Sequence, residues 1–135
     1  MSISFIILLP ILINISLQFD VQRVLAAVGR PDDLLPDMVN DVNSQHRADA
    51  LNKFADSFQY KRKDGSSLNK EQYVDNMISK GFHLSGITDR TLQSREGLFH
   101  RWDFDTVGRD QSHHSQMLFA KVQSHSWKFT EGKEK

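Results

Sequence analysis

His100 is the residue of this 135-residue chain whose type and surroundings come nearest to acid–base chemistry. It alternates with Leu98, Trp102 and Phe104, which places an imidazole on the apolar face of a predicted strand. An imidazole can act as a general base near neutral pH. Because no acidic partner is evident in the sequence, we interpret His100 as a hydrogen-bonded core or rim residue.

The carboxylates of the same strand, Asp103 and Asp105, alternate onto the opposite and mostly charged face. If the apolar face lines a pocket, both carboxylates lie outside it, and only a β-bulge would turn them inward. Asp56 and Tyr60 come at the end of a predicted helix and can reach the mouth of such a pocket. The sequence therefore does not assemble an isomerase-like pair of base and donor, and the catalytic residues stay unknown.

Histidine spacing predicts no metal site. His113 and His114 are adjacent, so they point to opposite faces of a strand, and His125 lies beyond that strand. The chain has no H-x-x-x-H or H-E-x-x-H pair and no calcium-loop pattern of carboxylates. It also lacks cysteine, a G-x-G phosphate loop and a G-x-S-x-G elbow, so disulfides are excluded and no cofactor is expected.

The charge balance argues against nucleic acid as a partner. Lys and Arg total 17 and Asp and Glu total 17, which gives a net charge of zero. Nucleic-acid binding needs a basic surface that displaces counterions from phosphates. We expect the partner to be an apolar small molecule or another protein.

The first 17 residues form a dense apolar run without a charged side chain. The run has the length of a signal-peptide core, and Pro10 would kink a spanning helix. We predict a signal peptide over residues 1–18, a single domain over residues 19–135, and a secreted protein. The alternative is that this segment is not cleaved and anchors the protein to a membrane.

The remaining chain predicts helices first and then an antiparallel meander. Apolar residues at steps of three or four predict a long helix over residues 36–58, and Asp64 with Gly65 predicts a turn. Asn69 and Gln72 form a predicted capping box for a short helix that ends at Gly81. Strands are expected over residues 87–95, 97–105, 112–123 and 127–129. This order favours an α+β fold.

Phe54 to Phe58 (FADSF), then Lys63 to Gly65 (KDG), then Leu68 to Tyr73 (LNKEQY) are similar to the front half of nuclear transport factor 2-like domains. Residues 99–104, 117–120 and 127–129 resemble the back half, and the resemblance covers residues 39–130, nearest to small secreted proteins. It implies N-terminal helices packed in the concave face of a strongly bent antiparallel β-sheet. Such cones often hold a pocket, and a homodimer through the sheet is compatible with the family.

That family includes isomerases, dehydratases, hydrolases and non-enzymatic binding modules, so the resemblance does not choose the function. We interpret the chain as a secreted binding or interaction domain without catalytic activity. The alternative is a small pocket enzyme, an isomerase, dehydratase or hydrolase, that acts on an apolar small molecule with His100 as base. The candidates for pocket-lining residues are Phe54, Phe58, Tyr60, His100, Trp102 and Phe104.

Overall fold

The computed structural model describes Arg23, Leu25, residues 28–95 and residues 97–135. The predicted signal peptide, residues 1–18, lies outside these described residues. The chain divides into two compact units, Met1–Arg30 and Pro31–Lys135. In the first unit, Arg23, Leu25 and Val28 are helical. None of the helices among the described residues is both long and apolar enough to span a bilayer.

Three helices lie in the second unit: α1 at Leu34–Asn43, α2 at Arg47–Leu51 and α3 at Lys70–Lys80. The capping box of α3 is confirmed, because the side chains of Asn69 and Gln72 each accept a hydrogen bond of 2.9 Å from the other's backbone N–H. Gly81, with a φ of 55°, ends α3 as predicted.

The second unit also contains a curved sheet of six strands in the order β2-β1-β6-β5-β4-β3. The predicted α+β class is thus confirmed. The sheet is mixed rather than purely antiparallel, because β1 runs parallel to β6. The strands are β1 (Phe54–Lys61), β2 (Ser67–Asn69), β3 (Phe82–Ser94), β4 (Gly97–Gly108), β5 (His113–Gln123) and β6 (Ser126–Glu134).

Phe54 and Phe58 lie on β1, so the prediction that they belong to a long helix was wrong. A spacing of four residues fits a helix face, and it also fits one face of a strand. The alternation of β1 is interrupted, since the register between β1 and β6 shifts between Phe54 and Gln59. This irregularity removed the period of two that would have indicated a strand.

One face of the sheet, called the inner face below, carries the buried side chains. Trp102 and Phe104 of β4 are 1% and 3% exposed, and the Trp102 ring lies 5.3 Å from that of Phe129 on β6. On the opposite, outer face, Asp103 accepts two hydrogen bonds of 2.8 and 2.9 Å from Arg101. The predicted division of β4 into an apolar and a charged face is therefore confirmed.

Candidate functional site

A β-bulge in β3 decides which of its side chains reach the inner face. Between its pairs with β4, strand β3 advances three residues, from Ser85 to Thr88, while β4 advances two. The extra residue reverses the alternation beyond the bulge, so Asp89 and Thr91 point to the inner face. Gly86, with a φ of 59°, supplies a backbone conformation that glycine adopts readily.

The bulge brings Asp89 and Thr91 to His100, and we call these three residues the histidine cluster. The Nε2 atom of His100 lies 2.8 Å from Oδ2 of Asp89, and its Nδ1 atom lies 2.8 Å from Oγ1 of Thr91. A carboxylate only accepts hydrogen bonds, so a neutral imidazole donates Nε2–H to Asp89 and accepts the Thr91 hydroxyl at Nδ1. Both ring nitrogens of His100 are then satisfied.

The His100 ring is held firmly between aromatic neighbours. Its side chain is 3% exposed, whereas that of Asp89 is 40% exposed. The ring centroid lies 4.4 Å from that of Trp102 and 6.5 Å from that of Trp127. The cluster therefore has a rigid, buried imidazole at its base and a carboxylate that meets solvent at its rim.

A cavity of about 240 Å³ lies between α3 and the inner face, and we call it the inner cavity. Helix α3 and the ends of five strands surround it. The residues that line it are Tyr60, Arg62, Tyr73, Asn76, Met77, Lys80, Gly81, Phe82, Thr106, Gly108, Ser112, His114, Gln116 and Glu134.

A chain of neutral hydrogen bonds forms one wall of the inner cavity. The Tyr73 hydroxyl donates to Oε1 of Gln116 at 2.8 Å, and Nε2 of Gln116 donates to Oγ1 of Thr106 at 2.9 Å. Among the described residues, every fully buried side-chain nitrogen or oxygen has a hydrogen-bond partner. Burial holds the pKa of Tyr73 well above its ordinary value of 10.0, so this phenol stays protonated.

Tyr60 presents a second phenol to the inner cavity. Its ring centroid lies 4.5 Å from that of Tyr73, over a position in β6 occupied by Gly132. A Cβ atom at Gly132 would lie 2.7 Å from Cδ2 of Tyr60, so glycine is required for this close approach. Burial and the charge of Glu134 raise the pKa of Tyr60. Within the described part of the chain, no hydrogen bond joins the Tyr60 hydroxyl to another residue.

Charged side chains are placed at the rim of the inner cavity. Arg62 and Lys80 are among its lining residues. Nδ1 of His114 lies 3.6 Å from Oε1 of Glu134, and both side chains are partly exposed. The wall formed by Tyr73, Gln116 and Thr106 is therefore neutral, and the charged side chains of the lining are partly or fully exposed.

The residues that the sequence proposed as pocket-lining do not meet at one site. Tyr60 lines the inner cavity, and Phe54 and Phe58 pack beside Tyr73 in the aromatic core. His100 lies six residues before Thr106 on β4, which is about 20 Å along the strand. Trp102 and Phe104 are buried between these two positions.

Sequence reasoning missed Asp89 and the polar wall of the inner cavity. The signal for Asp89 was present, since Ser94 pairs with Gly97 at the β3–β4 turn. Counting outward from that turn places Thr91 opposite His100. Tyr73 and Gln116 gave no comparable signal, because their bond joins a helix to a strand 43 residues away.

No protein-family model and no curated protein sequence matches this chain. Solved structures do match, at low sequence identity. Hexachlorocyclohexane dehydrochlorinase LinA-type3 from Novosphingobium barchaimii has a TM-score of 0.61 at 13% identity, covering 86% of this chain and 89% of that one. A putative scytalone dehydratase from Novosphingobium aromaticivorans has a TM-score of 0.58 at 11% identity, covering 89% and 86%.

A nuclear transport factor 2-like protein of unknown function from Cytophaga hutchinsonii is also similar, with a TM-score of 0.55 at 10% identity. The match covers 78% of this chain and 88% of that protein. At sequence identities this low, the similarity extends to the course of the backbone and does not identify the chemistry of the site. Together with the six-stranded curved sheet and its helices, these matches show that the chain has the nuclear transport factor 2-like fold.

Proposed function

We propose that the chain is a small-molecule-binding domain without catalytic activity, and that its ligand occupies the inner cavity. The observation that carries this proposal is the Tyr60 hydroxyl. It is a protonated donor on the wall of a preformed cavity, and it is not engaged by another described residue. A ligand with a hydrogen-bond acceptor would satisfy it.

The lining of the inner cavity indicates the chemistry of the ligand. Tyr60, Tyr73, Met77 and Phe82 supply aromatic and apolar surface. The two phenols stay protonated, so they donate hydrogen bonds but do not serve as bases. Because the volume of about 240 Å³ falls below the roughly 300–1,000 Å³ of drug-sized pockets, the ligand is a small, mainly apolar molecule with one acceptor group.

Filling the cavity tests this proposal. Asn76 of α3 lines the cavity, whereas Ser79 on the same helix is exposed and does not. A fragment library screened by thermal shift should give compounds that stabilise the wild type and Ser79→Trp but not Asn76→Trp. Tyr60→Phe should weaken the same compounds while keeping the shape of the cavity. Binding that survives both Asn76→Trp and Tyr60→Phe would show that the ligand lies elsewhere.

A second candidate function is favoured by the bond between Asp89 and His100. A carboxylate that orients an imidazole is an arrangement found in general-base enzymes. The fold is shared with a putative scytalone dehydratase and with a dehydrochlorinase, both named as enzymes. Against this candidate, the His100 nitrogen that would take a proton already accepts the Thr91 hydroxyl.

Elimination assays decide between the two functions. The enzyme candidate predicts that the wild type converts an activated apolar substrate and that His100→Gln abolishes turnover at an unchanged thermal midpoint. The binding proposal predicts no turnover and a lower midpoint for His100→Gln, since a buried, hydrogen-bonded ring is lost. Tyr60→Phe is the matched control, because it changes only the inner cavity.

Secretion also belongs to this proposal. It is supported by the apolar, uncharged residues at the start of the sequence. N-terminal sequencing of exported protein should begin within a few residues of Gln18, and protein that retains Met1 would contradict cleavage. A homodimer through the sheet remains a prediction, for which sedimentation of the purified chain is the measurement.

A further inference from the structure

We propose that Asp32, Asp89 and His100 form a binding site for a divalent first-row transition-metal cation such as Zn²⁺. One imidazole nitrogen and one oxygen from each carboxylate all lie within 4.8 Å of one another. Two atoms that ligate the same zinc ion at about 2.1 Å are at most about 4.2 Å apart. Small side-chain rotations of the two exposed aspartates therefore complete the site.

The buried imidazole anchors this site. His100 is fixed by Trp102 and Trp127, so its Nε2 atom cannot turn away from Asp89. Nε2 and Oδ2 of Asp89 are 2.8 Å apart, and a small rotation of the exposed Asp89 side chain widens this to the roughly 3.4 Å between two ligands of a tetrahedral zinc ion. A bound cation takes the place of the proton that the two atoms otherwise share.

Thr91 allows a metal ion to replace the Nε2 proton of His100 while Nδ1 keeps the same hydrogen-bond partner. A metal-bound Nε2 requires the other tautomer, in which Nδ1 carries the hydrogen. The Thr91 hydroxyl lies 2.8 Å from Nδ1 and can either donate to it or accept from it. Metal-ligating histidines usually have such a partner on the second nitrogen, so Thr91 has the position of an orienting residue.

The ligand types select the cation. Imidazole suits zinc, copper, iron and nickel, whereas calcium and magnesium prefer sites made only of oxygen. Two carboxylates balance the charge of a divalent ion, and Asp32 and Asp89 are exposed, which leaves a route for the ion from solvent. Asp32 has another interaction, but a carboxylate has two oxygens, so ligation by one leaves the other for that partner.

A second group of potential metal ligands is present, and zinc binding there must be distinguished from binding at the proposed site. Asp41, His46 and Asp49 also approach one another within 4.8 Å. There, however, Lys53 already forms an ion pair with Asp41. His46, unlike the buried His100, is exposed, so this cluster has no fixed imidazole to anchor an ion, and Asp49→Asn serves as the matched control.

The test is isothermal titration of the full chain with ZnCl₂, together with histidine nitrogen NMR spectra. We expect one zinc per chain and a zinc-dependent shift of the His100 Nε2 signal alone among the histidines. Asp32→Asn and Asp89→Asn should each weaken binding at least about tenfold, Thr91→Val about tenfold, and Asp49→Asn not at all. The aspartate variants change exposed groups, so they keep the proposal testable even if His100→Gln fails to fold.

Each of the following results of the zinc titration and the NMR spectra would overturn the proposal. They are the absence of saturable zinc binding by the wild type, full zinc affinity in Asp32→Asn and Asp89→Asn, and a zinc-dependent shift at another histidine such as His46. Magnesium and calcium chloride serve as chemical controls, and displacement of zinc by either would contradict a site built around imidazole.

Discussion

The histidine cluster and the inner cavity lie about 20 Å apart on the same face of β4, yet they handle polar groups in opposite ways. In the cluster, buried His100 contacts Asp89, a carboxylate with 40% of its side chain exposed. In the cavity, buried Tyr73 contacts Gln116, a neutral amide. The difference teaches that a buried polar group on this face pairs with a carboxylate where solvent still hydrates that carboxylate, as at the edge strand β3, and with a neutral amide where the partner is buried.

Trp102→Ala should have the largest effect, because this ring lies between the two regions and packs against both His100 and Phe129. We expect the free energy of unfolding to fall by about 3–5 kcal/mol, measured by urea denaturation. Ile87→Ala is the control, since Ile87 is 45% exposed and its loss should change stability by no more than about 0.5 kcal/mol. An unchanged midpoint for Trp102→Ala would mean that the two faces of β4 are wrongly assigned.

Comparing Tyr73→Phe with Thr91→Val tests the difference in hydration directly. Tyr73→Phe leaves the buried Gln116 oxygen without its donor, so we expect a loss of about 1–3 kcal/mol in the free energy of unfolding. Thr91→Val removes the hydroxyl that donates to Nδ1 of His100, but this bond is only partly buried and lies beside an exposed side chain, so the loss should be about 1 kcal/mol or less. Equal losses in the two variants would contradict a dry wall in the inner cavity.

Alkaline unfolding should sharpen the comparison, because only the inner cavity contains buried phenols. The folded-state pKa values of Tyr60 and Tyr73 are raised above the ordinary 10.0, chiefly by burial. Below pH 10 both phenols are protonated in the folded and in the unfolded chain, so their ionisation does not reduce the free energy of unfolding. Above pH 10 only the unfolded phenols ionise, so stability falls by about 1.4 kcal/mol per pH unit for each phenol. Tyr73→Phe should give a shallower alkaline decline in urea midpoints, and an unchanged slope would contradict this account.

The smallest effect is expected on the outer face, at Asp103. A hydrogen bond from Arg101 lowers the pKa of Asp103 to about 2. Partial burial opposes this shift, and Lys135 adds to it. Since the folded value lies below the ordinary 3.8, the stabilisation is complete above pH 4 and is lost as the pH falls to about 2. Because the pair is partly exposed, we expect about 1 kcal/mol or less. Thermal midpoints between pH 2 and 5 should depend less on pH in Asp103→Asn than in the wild type.

Sequence reasoning succeeded where one local rule decided the structure. The capping box of Asn69 and Gln72 and the stop at Gly81 need only residues a few positions apart. The alternation of His100, Trp102 and Phe104 is uninterrupted in β4, so the faces of that strand could be read directly.

It failed where an irregular step changed the period. In β1 the register shift after Phe54 interrupts the alternation of buried and exposed residues, so this strand was predicted as a helix. In β3 the bulge reversed the faces, so Asp89 could not be identified as the partner of His100 without the pairing of the two strands. The inner cavity was out of reach for another reason: its wall joins α3 to β5, and no local pattern encodes that contact.

The position of β6 determines when the protein can finish folding. This strand lies between β1 and β5, and Phe54 pairs with Phe129, far along the chain. During synthesis, the β1–β2 hairpin and the β3–β4–β5 meander are both complete before β6 is made. Until then, β1 and β5 each lack the strand with which they pair. Such non-local pairing slows folding and leaves two open edges that neighbouring nascent chains can occupy. The ribosome must therefore release residues 126–134 before the two halves of the sheet can become one.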